Sequence, residues 1–159
     1  MTQVVALSLL SIACLSAQPD SSPLKPLAFL EGSWGAKTEL GATSSGTYTF
    51  AKELAGHILA RHSVPASCNG PAGFNCGHTD LLFIYPDGEA LKAIYFDNEG
   101  HVIHYAVSTP SPTTAVFLSD QFRLSYELKD GVLSGKFQMR MSGQTEWKSY
   151  LEWSGPKKP

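Results

Sequence analysis

From Ser33 to Trp153 the chain is cut into short runs of alternating apolar and polar residues by closely spaced turn signals. Pro86-Asp87-Gly88, Asn98-Glu99-Gly100, Asp130-Gly131 and Ser142-Gly143 are such signals. From position 80 onward they recur about every ten residues, the rhythm of hairpin-linked strands. In Gln121–Lys129, Phe122, Leu124, Tyr126 and Leu128 take one phase and Gln121, Arg123, Ser125 and Glu127 the other. Leu133, Phe137 and Met139 likewise share a phase against Ser134, Lys136 and Gln138. A period of two with one polar face means one wall packed and one wall wet.

Ten strands are predicted: Ser33–Glu39, Gly46–Leu54, His57–Val64, Thr79–Tyr85, Ala90–Asp97, His101–Thr109, Thr114–Leu118, Gln121–Lys129, Val132–Met141 and Thr145–Trp153. No segment of useful length has helical periodicity, although Leu27–Leu30 is short enough for a single helical turn. So many hairpin-linked strands leave exposed edges in a flat sheet, and closure removes them. The expected fold is all-β, a single antiparallel up-and-down β-barrel of about ten strands with a short helical turn before the first. A two-sheet sandwich is the rival.

The first seventeen residues, MTQVVALSLLSIACLSA, carry no charged side chain. The apolar run Val4–Leu15 is short for a membrane span, which needs about 20 residues, and fits a secretory signal. Cleavage is expected after Ala17. Cleavage after Ala13 would instead expose Cys14 as a lipid anchor, and a buried helix is the non-targeting reading. The expected organisation is a signal over 1–17, an N-terminal arm over 18–26, a barrel domain over 27–154 and a tail over 155–159. In an oxidising compartment Cys68 and Cys76, both in the loop ASCNGPAGFNCGH, are expected to bond. His78 beside them gives at most three zinc ligands. The protein is therefore expected to be secreted or periplasmic.

Charge excludes several partners. Twelve basic against fourteen acidic residues give a net charge of −2, so nothing favours nucleic acid. The basic pair Lys157-Lys158 in GPKKP reads as a solubilising end.

Gly32-Ser33-Trp34, after a short apolar turn and at the head of a ten-strand meander, resembles the calycin superfamily of lipocalins and fatty-acid-binding proteins. LAFLEGSWGA, GTYTFAKELAGHILARHS and YFDNEGHVIHYAV are similar to a bacterial family of secreted, lipocalin-like proteins of unknown function. The resemblance implies that Gly32 permits a tight start and Trp34 plugs the barrel base under a basic side chain, with Lys148 or Arg140 as the cover. Haem binding, known in a related branch, is not implied, because the last histidine is His104.

No nucleophile elbow, phosphate loop or paired-acid motif is present, and no catalytic residue, metal or cofactor is assigned. His101 and His104 differ by three, and His57 and His62 by five, so neither pair shares a strand face. The expected lumen lining is Tyr48, Phe50, His62, Tyr95, His104, Phe122, Leu124, Tyr126, Phe137 and Met139, with Arg61 and Arg123 outside. Asp97 and Glu99 read as turn residues. Such a lining suits a small hydrophobic or amphipathic ligand. An interaction module acting through the Cys68–Cys76 loop, and a lipid-modifying enzyme using His62 or His104, are the alternatives. Intact mass of the exported protein is expected to lack the first seventeen residues; a full-length mass would overturn the signal assignment.

Overall fold

The structure, a computed structural model, describes residues 22–38, 44–69 and 75–159. The proposed signal, its cleavage points and Cys14 lie outside the described residues. A 3-10 turn, Lys25–Leu30, precedes β1 (Gly32–Thr38). The meander continues through β2 (Ser44–Glu53), β3 (Ile58–Ser67), β4 (Asp80–Asp87), β5 (Ala90–Asp97) and β6 (Val102–Ser111). It ends with β7 (Thr114–Leu118), β8 (Phe122–Lys129), β9 (Val132–Met139) and β10 (Lys148–Pro156). Every strand pairs antiparallel with its chain neighbours and β10 pairs back onto β1, so the sheet is a closed barrel and not a sandwich.

Closure is made at a narrow seam. Lys37 lies opposite Ser154 and Thr38 opposite Trp153. Further down, Trp34 bridges to Lys157, and the Lys158 N–H donates to the Ser33 carbonyl at 2.8 Å. The chain end expected as a tail is therefore structural, and β10 runs three residues beyond its expected end at Trp153. Gly155 makes this extension feasible: a Cβ there would lie 2.1 Å from the Gly35 carbonyl oxygen, so only glycine lets β10 approach β1 so closely.

The meander sorts the loops to two ends. One end holds the helical turn, the start of β1 and the end of β10. There Leu24, Leu27 and Leu30 from the turn are buried, together with Trp34, Phe50, Leu59, Ile84 and Leu133. Leu24 belongs to the expected arm, so the arm's end packs into the core. The Trp34 indole N–H donates to the Leu30 carbonyl at 2.7 Å, which satisfies its one polar group.

The basic cover over Trp34 differs from the expected one. Lys157 Nζ stands 5.5 Å from the indole centroid. Gly32, at φ 118°, makes room for it, because a Cβ there would sit 2.3 Å from the Lys157 Cε. Arg140 follows β9 and Lys148 begins β10, so antiparallel connection carries both to the opposite end. Arg140 instead stacks on Trp147 at 4.5 Å and donates to the Asp120 carbonyl at 2.8 Å.

Trp34→Ala should cost about 3–5 kcal/mol in urea unfolding. Lys157→Ala should cost about 0.5–1 kcal/mol. Lys148→Ala should stay within about 0.5 kcal/mol. A Lys148→Ala loss larger than that of Lys157→Ala would overturn the assignment of the cover.

Candidate functional site

The far end of the barrel is hollow. A cavity of about 600 Å³ opens there, above the packed base. Its wall includes Tyr48, Tyr95, Ile103, Tyr105, Phe122, Leu124, Phe137, Met139 and Trp153. Phe122 and Phe137 stack with centroids 5.7 Å apart. Of the residues expected to line a lumen, Tyr48, Tyr95, Phe122, Leu124, Phe137 and Met139 therefore meet here. Phe50 and Tyr126 are 1% exposed and pack edge to face in the core below, at 5.3 Å.

The two expected histidines are not in the cavity. His62 projects from the outer wall, where its Nε2 meets Glu53 Oε1 at 2.8 Å and its ring faces Phe83. His104 is exposed between the buried, inward-facing Ile103 and Tyr105. In the sequence His62 shares its phase with Ile58, Ala60 and Val64, and His104 with Val102 and Ala106. Here those neighbours, Val64 and Val102 among them, face outward, with Leu81 and Phe96 exposed beside them. An apolar outer strip imitates an inner one.

The inward phase of β3 is Leu59, Arg61 and Ser63, so Arg61, expected outside, is inside and only 4% exposed. A buried guanidinium requires a partner. Its Nη2 donates to Asp80 Oδ1 from β4, and its Nη1 donates to the Tyr126 hydroxyl below. Burial alone would raise the Asp80 pKa, but the Arg61 charge and hydrogen bonds from His78 and Arg61 outweigh it and hold Asp80 down at about 2. Arg61 stays protonated despite burial because Asp80 faces it. The pair is thus ionised and internally neutral. Burial pushes the hydroxyls of Tyr48, Tyr95 and Tyr105 up, and that of Tyr126 up to about 12, so all four stay neutral donors. Among the described residues, two buried side-chain polar atoms lack a partner at normal hydrogen-bond geometry, Arg61 Nε and the Tyr48 hydroxyl oxygen, the latter approached by the Trp153 indole.

The mouth carries a second polar group that the sequence reading missed. Asp97, Glu99 and His101 continue the inward phase of Ala93 and Tyr95 past the end of β5, and all three reach the cavity. Asp97 does serve its turn, accepting the backbone N–H groups of Glu99 and His101 at 3.0 and 2.9 Å. It also takes the His101 Nδ1 at 2.8 Å. Opposite, the disulfide Cys68–Cys76, with Cα atoms 5.4 Å apart, ties the chain after β3 to the segment before β4. That segment delivers His78, whose Nδ1 donates to Glu99 at 3.2 Å. The His78 Nε2 lies 3.1 Å from the Tyr95 hydroxyl and 3.6 Å from Asp80 Oδ2. Among the described residues, no group of three or more His, Cys, Asp or Glu side chains is arranged to hold a metal ion. The signal was available: Asp80 alternates in phase with Leu82 and Ile84, and period two places it inside.

With the geometry in place, comparison with known proteins adds no identity. No protein-family model matches the chain, and a search of curated proteins finds no match.

The His78 pKa lies above its usual value, through Asp80 first and Glu99 next, against the pull of burial. A raised histidine stabilises fully below about pH 6.5, its ordinary value, and loses that contribution as pH rises through the folded value. Asp80, Asp97 and Glu99 are held below the usual carboxylate range, so they stay ionised over this window. Between about pH 5.5 and 8.5, wild type should lose on the order of 0.5–1 kcal/mol more unfolding free energy than His78→Gln, a modest figure because solvent screens the partly exposed imidazole. Parallel pH profiles for the two proteins would overturn this.

Proposed function

We propose that the protein binds a small hydrophobic or amphipathic molecule in the upper half of the barrel. The observation that carries this reading is the cavity itself. About 600 Å³ of space lies above a sealed base, walled by aromatic and aliphatic side chains with a few convergent polar groups. Ligand pockets generally have about 300–1,000 Å³ and such a lining. The calycin resemblance supports the same reading, as does closure with an indole at the base. Export through the N-terminal signal is part of the proposal, supported by the Cys68–Cys76 disulfide. No described helix is long and apolar enough to cross a membrane.

One observation favours a second reading, an enzyme acting on a bound lipid. Two histidines do reach one cavity with carboxylates beside them, but they are His78 and His101, not His62 and His104. Both His78 nitrogens already have partners, which leaves the Asp97–His101 pair as the candidate base. The interaction-module reading rests on the Cys68–Cys76 loop, of which residues 70–74 lie outside the described residues.

Titration of purified protein with medium-chain ketones, alcohols and acids, followed by indole fluorescence and native mass spectrometry, tests binding. A one-to-one complex is expected. Leu124→Trp, which fills the cavity, should weaken it at least about tenfold, or 1.4 kcal/mol. Absence of any complex across the series, or Leu124→Trp binding as tightly as wild type, would overturn the reading.

A further inference from the structure

The polar floor of the cavity constrains the chemistry of what can rest on it. Among the described residues Arg61 is the one arginine in the cavity wall, and in many pockets such a group takes a carboxylate. Here its charge is already matched. Its Nη2 holds Asp80, and its Nη1 holds the Tyr126 hydroxyl. The Nε–H has no acceptor, and the buried Tyr48 hydroxyl, whose oxygen the Trp153 indole approaches, has no acceptor for its own proton. A buried donor without an acceptor is unfavourable, and both residues line the cavity, so a ligand oxygen admitted by a small shift of these floor side chains would complete them.

The sign of the local charge selects that atom. A carboxylate would meet the ionised Asp80 beside the arginine, and the mouth offers it little attraction because His78 and His101 are already paired with Glu99 and Asp97. An ammonium would meet Arg61 itself and find Asp80 already engaged. An oxygen without formal charge accepts from Arg61 Nε and from Tyr48 and disturbs no ion pair. The phenols around it are neutral donors and the walls above are aromatic, which suits an apolar chain attached to that oxygen.

Resting on the binding reading above, we propose that the ligand is an uncharged amphipath that presents a carbonyl-type oxygen to the Arg61 Nε–H and the Tyr48 hydroxyl, and that the site discriminates against fatty carboxylates. The buried Arg61–Asp80 pair is the specificity determinant: Asp80 neutralises the arginine so that it recognises a dipole and not an anion.

Three probes of matched length decide this: methyl octyl ketone, decanoate and decylamine, each titrated at neutral pH by calorimetry. The ketone should bind at least about tenfold more tightly than either charged probe. Decanoate or decylamine binding as tightly as the ketone overturns the head-group inference while leaving the binding reading intact. No binding by any of the three overturns both. Asp80→Asn frees the arginine charge and should raise decanoate affinity about tenfold relative to the ketone, erasing most of the preference; an unchanged ratio of the two affinities overturns the inference. If that variant does not fold, Arg61→Met combined with Asp80→Leu removes the pair together and should bring the three affinities within about threefold. Retained discrimination there would equally count against the proposal.

Discussion

The architecture depends on closing a ten-stranded ribbon at one short seam. Among the described residues only Lys37–Ser154 and Thr38–Trp153 are paired between β1 and β10, against eight paired positions between β8 and β9. What completes the join is the stretch around Trp34 and Lys157: a strand bridge, a backbone hydrogen bond to Ser33 and an ammonium over the indole. Two glycines, Gly32 and Gly155, leave the space that these contacts occupy. Were the seam open, β1 and β10 would be free edges and the core on Leu27, Leu30 and Trp34 would lose its cover.

The same seam explains why the barrel has a packed end and a hollow end. The helical turn adds Leu24, Leu27 and Leu30 to the base, where Trp34, Phe50 and Leu133 already converge. No comparable element crosses the other end among the described residues. There the inward positions carry polar or rim residues, Ser63, Asp80, Asp97 and Met139, and space remains. The Arg61–Asp80 pair lies between the two regimes, with Tyr126 beneath and the cavity above. It is far enough down to be dehydrated, and it holds adjacent strands β3 and β4 in register by an ionic contact as well as a ladder. Removing either partner would leave an unpaired buried charge, which typically costs 3–5 kcal/mol.

Polar residues at the mouth serve two tasks at once. Asp97 holds its hairpin through backbone amides and also orients His101. His78 joins the segment after the disulfide to Glu99 on the facing hairpin. The mouth is thus built from side-chain contacts between loops, while the walls are built from backbone ladders. The walls specify shape through backbone pairing; the mouth depends on the protonation of His78, which faces Asp80 and Glu99.

The sequence by itself determined the class of fold, the number of strands and the turns between them. These follow from local quantities, namely a period of two, turn chemistry and the absence of helical spacing. It also determined the inward phase of β8, because Phe122, Leu124, Tyr126 and Leu128 alternate with polar residues without ambiguity. Only the tertiary structure decided the phase of β3 and β6, where both faces carry apolar residues and the inner face of β3 carries a charge. Arg61 looked solvated because its partner Asp80 sits nineteen residues away, on another strand. Lys157 looked like a soluble end because the indole it covers lies across the closure, at the other end of the chain. Hydrophobic alternation is a property of neighbours along the chain, whereas charge compensation and closure are properties of neighbours in space.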